Sequence, residues 1–451
     1  MSLTINQTKT FPMGGVHPDE NKFTADKPIQ RLETPGEVAI PISQHIGAPA
    51  KPIVEQREKV KIGQVIASSG GFVSANIHAS ISGIVAKIDK VMDSTGYKRD
   101  AIIIKAGKDE QEWAEGIDLS PELVTTISLD QEGIIKKIAE AGIVGLGGAT
   151  FPSHVKLSVP KGKSAEFLIL NGVECEPYLT ADHRLMVEKS AEIVVGAKIL
   201  MKALGVTKTI IGIENNKPDA IQKMAELVAT EVGMSVQPLK VQYPQGGEKQ
   251  LIRAAIQREV PSGGLPIDVG AVVHNVGTAF AVYEAVQKNK PLIERVVTVT
   301  GKDIKNPSNF LVRIGTPVGE LIEAAGGIPE NTGKVISGGP MMGKALNAVD
   351  IPIAKGTSGI LLIPNEESRR GKMKACIRCS QCVTVCPMGL EPYLLMTLTQ
   401  KEYFERLESD KVMDCIECGS CSFTCPSDRP LLDYIRLGKK TVASLIRERN
   451  N

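Results

Sequence analysis

Between residues 130 and 290 the apolar positions change period again and again. "DQEGIIKKIAEAG" carries its isoleucines at helical spacing, "EFLIL" is a short continuous apolar run, and "SAEIVVGAKILMKALG" returns to the helical period. "KTIIGIEN" then reads as a strand, "KPDAIQKMAELVATEV" as a helix, and in "QPLKVQYPQGGEKQLIRAAI" Gly246 and Gly247 precede another helix. Such alternation predicts an α/β layer built on a parallel sheet. Open sheets of this kind bind ligands beyond the carboxyl ends of their strands, where Asn171, Glu174 and Glu176 are bunched. Further on, Leu394, Leu395, Leu398, Tyr403, Phe404 and Leu407 recur at three- and four-residue steps and predict one helix through "EPYLLMTLTQKEYFERLESDKVMD". "LLDYIRLGKKTVASLIRERN" has the pattern of a basic amphipathic helix, whose default use is a solvated charged face and whose sharper use is contact with anionic lipid or an acidic partner subunit. The polar, turn-rich "IPNEESRRGKMKAC" reads as a linker. No run reaches the roughly 18 apolar residues of a spanning helix, because Glu192, Lys198 and Lys202 interrupt the best candidate, so a soluble chain is expected.

Length and charge narrow this picture. A chain of 451 residues suggests about three domains or more. Apolar content of 42% with 23% charged residues fits a globular protein, and aromatics at 4% with a net charge of +2 argue against nucleic acid as a partner. "MSLTINQTKTF" lacks the pattern of a secretory signal, which places the cysteines in a reducing compartment where disulfides are rare.

Eight of the nine cysteines fall in two C-x2-C-x2-C-x3-C-P sets, "CIRCSQCVTVCP" and "CIECGSCSFTCP". Three cysteines at two-residue gaps wrap one face of a cuboidal cluster, and the fourth, followed by proline, reaches the other cluster. The spacing therefore assigns Cys376, Cys379, Cys382 and Cys425 to one [4Fe–4S] cluster, and Cys415, Cys418, Cys421 and Cys386 to the second. Structural zinc, which favours paired CxxC units, and a disulfide scaffold, which needs a secreted chain, are the weaker alternatives. A helical two-cluster ferredoxin module over residues 375–451 follows.

The glycine-rich "GLGGATFP" is by itself equally compatible with a plain tight turn, Lys156 with a solvated lysine, and Glu174 and Glu176 with acids at a helix start. Together with "NGVECEP", "YPQGGE" and "HNVGTAF", however, it resembles the flavin- and NADH-binding subunit family of respiratory complex I. That resemblance implies a Rossmann-like α/β domain over residues 120–290 in which Gly145, Gly147, Gly148, Lys156, Asn171, Tyr243, Gly246, Glu248, Asn275 and Thr278 hold FMN. It also implies that Glu174 and Glu176 face flavin and nicotinamide, with Lys156 stabilising negative charge on the reduced ring. The chain departs from that family at Val173 and Gly247, where the family carries acids. The ninth cysteine, Cys175, reads as a small buried side chain, and His154, His183 and His274 as histidines bonded to the backbone.

Flanking segments extend the resemblance. Residues 33–108 resemble a lipoyl-type barrel-sandwich hybrid, but the hairpin "SSGGFVSANIHA" lacks the lysine of an acyl carrier, so a docking module is expected. Residues 291–350 resemble a soluble-ligand-binding β-grasp domain (SLBB), read by default as a packing domain, and residues 351–374 are expected to be linker. "FPMGGVHPDENK", within residues 1–32, resembles the N-terminal signature of the RnfC/RsxC family of Rnf electron transport complexes, and the order of modules is similar to that family along nearly the whole chain. The resemblance implies a peripheral NADH-side subunit of an ion-translocating ferredoxin:NAD oxidoreductase. NAD(H) is its substrate, FMN and two [4Fe–4S] clusters its cofactors, and membrane and peripheral Rnf subunits of the D, G, B, A and E types its partners. Ferredoxin is reached only through the complex, and the location implied is the cytoplasmic face of the bacterial inner membrane. Two rivals are a microcompartment cobalamin reductase with similar flavin and cluster domains, and a ferredoxin-like electron wire whose flavin domain is vestigial.

Overall fold

The computed structural model of the chain describes residues 7–107 and 111–450. Residues 1–6 of the N-terminal signature segment, residue 108 at the close of the barrel-sandwich span and residue 451 lie outside the described residues. A strap runs from Lys9 to a short strand β1 (Ile29–Arg31). Seven strands then build the barrel-sandwich: β2 (Glu37–Pro41), β3 (Lys51–Pro52), β4 (Lys59–Val60), β5 (Val65–Ser68), β6 (Ile77–His78), β7 (Gly83–Met92) and β8 (Lys98–Ala106). They form two antiparallel sheets, β2-β8-β7-β4 and β3-β5-β6. Alternate residues turn inward, so Val38, Ile40, Val85, Ile102 and Ile104 are fully buried between them. The lysine-free hairpin between β5 and β6 docks on the next domain, where Asn76 Nδ2 donates to the Glu140 carbonyl and His154 Nε2 lies 3.2 Å from the Phe72 carbonyl oxygen.

The α/β domain begins with α1 (Gln131–Glu140), capped by Asp130, whose carboxylate accepts from Gly133 N, and α2 (Ser153–Leu157). It continues through β9 (Phe167–Asn171), α3 (Ala181–Glu188), α4 (Ser190–Leu204), β10 (Thr209–Glu214), α5 (Pro218–Val228), β11 (Met234–Leu239), α6 (Glu248–Ile256), β12 (Ala271–Asn275) and α7 (Val276–Gln287). All four strands are parallel in the order β11-β10-β9-β12. The chain steps from β9 to β10 and β11 on one side and later returns to β9's other side as β12. The crevice at this reversal therefore opens between the carboxyl ends of β9 and β12, at Asn171 and Asn275. The α/β alternation and each helix expected there are present, and α4 is a core helix whose apolar residues bury against the sheet and α7.

A third sheet, in the order β1-β14-β13-β17-β15-β16, carries the β-grasp domain: β13 (Glu294–Gly301), β14 (Ser308–Arg313), α8 (Val318–Ala324), β15 (Thr332–Ser337), β16 (Lys344–Ala345) and β17 (Gly359–Pro364). One expectation needs correction here. The span 351–374 is not all linker, because β17 lies fully buried between β13 and β15, so linker begins only after the short α9 (Asn365–Ser368). The N-terminal segment likewise belongs to this sheet, since β1 pairs with β14 in parallel.

The cluster module follows as α10 (Gln381–Thr384), α11 (Pro392–Gln400), α12 (Phe404–Ser409), α13 (Ser420–Phe423) and α14 (Leu431–Asn450). The single helix expected between the cysteine sets is broken: Glu402 takes φ 57°, and α11 and α12 flank the turn. Leu398, Leu407, Leu431, Ile435 and Val442 are buried together, so α14 lies across α11 and α12. Several of its cations are paired internally, Arg436 and Lys439 with Glu417 and Arg449 with Glu408.

Candidate flavin and cluster sites

The glycine loop leaves α1 and returns into α2 through a bridge between Val144 and Pro152. Its base is fixed from below: Thr278, fully buried on α7, accepts from Leu146 N at 3.0 Å, and Gly145 N donates to the Phe151 carbonyl. Beyond this base Gly147, Gly148 and Ala149 are exposed, and their N–H groups have no acceptor among the described residues. Consecutive free amides beside a topological switch point fit a phosphate or an electron-rich ring edge, and a Cβ on Gly147 would come within 2.5 Å of Asn275 Nδ2. Asn275 caps α7 by accepting from Gly277 N and donates to Asp182 Oδ2 at 2.6 Å, while Asn171 Nδ2 donates to the Gly246 carbonyl. Lys156 Nζ sits 2.8 Å from Glu248 Oε1 and donates to the Val273 carbonyl, so lysine, carboxylate and crevice share one wall. These residues fit FMN.

Four expected site residues are turned elsewhere. Thr278 acts through the loop it supports. Tyr243 is only 2% exposed, and its hydroxyl donates to the Cys418 carbonyl at 2.7 Å. Glu174 accepts from Asp182 N and His183 N in the first turn of α3, the helix-start use of an acid. Glu176 accepts from Met341 N and Met342 N of the β-grasp domain, and burial pushes its pKa up to about 7. Of the three histidines, only His154 meets a backbone carbonyl. His183 Nε2 lies 2.7 Å from Asp219, and His274 Nε2 is buried without a partner. Cys175, expected to be buried, is only partly so, packed beside Val173 with Gly246 N donating to its sulfur.

Sequence reasoning missed the cations and acids beneath this loop. Lys22, from the strap, donates to the carbonyls of Glu174, Glu176 and Leu179 at 2.7–2.9 Å, and burial, with Lys217 nearby, lowers its pKa to about 8. Asp182 is partly buried, and loss of solvent around its carboxyl together with Glu174 raises its pKa to about 7. Arg295 faces both acids from β13. Lys22 could have been suspected from the N-terminal signature, but nothing local in the sequence joins it to a loop about 150 residues away.

All nine cysteines are free thiols. Burial raises the Cys382 pKa, and the thiols that add to the rise are those of Cys425, Cys376 and Cys379. Burial likewise pushes Cys421 up, with Cys415, Cys418 and Cys386 adding to it, and Cys415 up to about 11. The thiols that couple to Cys382 and to Cys421 are compatible with the two crossed quartets that the spacing suggests. Such crowding disfavours thiolates in the empty site, and a cationic iron–sulfur core would offset their mutual repulsion by binding them deprotonated. Cys386, Cys415, Cys418 and Cys421 line one apolar recess closed by Leu390 and Leu395, whereas Cys376 and Cys379 are exposed. Both quartets fit [4Fe–4S] clusters.

Residues 9–109 match the RnfC barrel sandwich hybrid domain and residues 138–284 the Nuo51 FMN-binding domain. Residues 296–345 match the SLBB domain and residues 370–427 the 4Fe-4S dicluster domain. Over 427 residues the chain is 52% identical to the C-type subunit of the proton-translocating ferredoxin:NAD(+) oxidoreductase complex of Clostridium ljungdahlii, covering 94% of this chain and 92% of that one. It is 44% identical over 439 residues to the Na(+)-translocating counterpart of Acetobacterium woodii, with 97% and 98% covered. The corresponding subunit of the ion-translocating oxidoreductase complex of Rhodobacter capsulatus is 42% identical over 387 residues, with 85% and 73% covered. With module order, switch-point crevice and near-full-length identity all in agreement, the chain belongs to the RnfC family, the C-type subunits of ion-translocating ferredoxin:NAD(+) oxidoreductase (Rnf) complexes.

Proposed function

We propose that this chain is the NADH-side electron-transfer subunit of such a complex, exchanging electrons between NAD(H) at the α/β crevice and membrane-bound subunits, in either direction as the donor dictates. When bound, FMN exchanges electrons in pairs with a nicotinamide and singly with clusters, which carry one at a time. The chain's own residues supply position and charge. The amides of Gly147, Gly148 and Ala149 and the Lys156 ammonium present positive potential to the crevice. Lys22, Glu174 and Glu176 fix the loop after β9, and Asn171 and Asn275 set the crevice width.

One observation carries the order of transfer. Tyr243, on the flavin-domain loop, donates its hydroxyl to the carbonyl of Cys418, and Gln250 of α6 reaches the Pro387 carbonyl at 3.3 Å. The buried quartet therefore abuts the flavin domain, and the quartet with Cys376 and Cys379 lies outward. With clusters bound, Cys386, Cys415, Cys418 and Cys421 would hold the one nearer the flavin domain and Cys376, Cys379, Cys382 and Cys425 the one nearer the surface, an order that would serve transfer in either direction. The partners in this reading are Rnf subunits of the D, G, B, A and E types, and the site of action is the cytoplasmic face of the membrane. None of the described helices is long and apolar enough to cross a membrane, so the ion path belongs to those partners. The barrel-sandwich preceding the flavin domain and the near-full-length likeness to RnfC-type proteins favour this reading over a cobalamin reductase.

The test is to reconstitute the chain with iron, sulfide and FMN under anaerobic conditions and follow NADH-dependent reduction of an artificial acceptor. Activity that needs FMN is expected. Stoichiometric FMN without any such activity would leave only an electron wire.

A further inference from the structure

The outer quartet sits in an unusual stretch. Residues 369–380, "RRGKMKACIRCS", hold five cations and no carboxylate, whereas the whole chain balances 53 basic against 51 acidic residues. Every residue from Gly371 to Ser380 is exposed, including the Cys376 and Cys379 thiols, with Ile377 66% accessible between them. Arg370 is paired with Asp433. Arg369, Lys372, Lys374 and Arg378 have no acidic partner among the described residues. Two acids lie nearby, one of them with its carboxylate against the stretch itself. Asp428 abuts Gly371, and Glu391 accepts from the Tyr393 hydroxyl. The contrast with α14 is direct, since cations on that helix are bound to acids of the module.

Unpaired like charges crowded within a dozen residues repel one another, and a surface that tolerates this gains from an approaching negative face. An exposed apolar residue between two cluster ligands adds desolvation energy at the centre of a polar ring, the usual arrangement of a recognition patch. A lipid headgroup would satisfy the cations but cannot exchange electrons with the cluster beneath them. A redox protein satisfies both demands. We propose that residues 369–380 form the docking surface for an acidic redox subunit of the same membrane complex, with Arg369, Lys372, Lys374 and Arg378 steering its acidic face onto the outer cluster. This inference rests on the electron-transfer reading above for the nature of the partner, but its test does not depend on NADH chemistry.

The experiment uses the full holoprotein and membranes that carry the remaining subunits but lack this chain, with sedimentation as the readout. Wild-type binding should weaken at least about tenfold as salt rises from about 50 to 500 mM. A variant with Lys374→Glu and Arg378→Glu should bind at least about tenfold more weakly at low salt and lose most of the salt dependence, while keeping its iron, FMN and diaphorase activity. Arg378→Lys should bind as wild type. The proposal is overturned if the charge-reversed variant sediments like wild type, or if reversal shifts only the cluster potential. Equal capture by protein-free vesicles of anionic phospholipid would also overturn it, showing a membrane surface rather than a protein as the occupant. Absence of diaphorase activity in the FMN-loaded wild type would count against the proposed function instead, leaving the binding result to be judged separately.

Discussion

At the level of single residues, the site depends on a few charges held in fixed places. Lys156 bridges Glu248 and the Val273 carbonyl on the crevice wall. Removing it as Lys156→Ala should weaken FMN retention about tenfold with little change in melting temperature, read as flavin per chain after gel filtration. Histidines give a second expectation. His78 and His274 are buried, and burial, with Lys355 and Lys156 nearby respectively, holds both pKa values down at about 3. An unfolded histidine takes up a proton near pH 6.5, so stability falls as pH drops through 6.5 and goes on falling toward 3, by ~1.4 kcal/mol per pH unit for each ring. Urea midpoints at pH 7 and pH 5.5 should show that loss, and His274→Gln should shrink it. The cysteine quartets were legible because ligand spacing is local. The direction of Tyr243 and the carbonyl cage around Lys22 were not, because both depend on contacts between segments more than 150 residues apart.

Among elements, periodicity was a good guide where a helix or strand had one face to bury, and it failed at two places for opposite reasons. Apolar residues run on at helical steps across the junction of α11 and α12, since both helices face the same core, and only the left-handed turn at Glu402 separates them. In β17 the apolar run is so short, and so close to the polar stretch that follows, that its central place in the sheet comes only from pairing with β13 and β15. The strap shows what an irregular element can require. Gly14 has φ +76°, and a Cβ there would lie 2.7 Å from the Cys386 carbonyl carbon, on the loop bearing the inner cluster's remote ligand. Gly14→Ala should therefore cost ~1–3 kcal/mol and speed loss of the inner cluster, which a thermal melt and the decay of visible cluster absorbance would report.

For the whole molecule, domain order was legible because each module has its own composition and motif, whereas the seams between modules were not. The two quartets are chemically separate, one recessed against the flavin domain and one at the surface. Replacing Cys376 and Cys379 by serine should accordingly lower iron from about eight to about four per chain and leave FMN untouched. An iron content near zero would mean that the quartets assemble only together. The strap also has a consequence for biogenesis. Its Lys9 bonds Pro238, its Val16 pairs with Tyr243, its Gly15 donates to Val385, and β1 joins β14. A growing chain therefore exposes this stretch long before its seats exist, and the last of them arrives with the first cysteine set. Nascent chains stalled short of residue 385 should be clipped there by protease, and completed ones should resist, so that closing this latch marks the end of maturation.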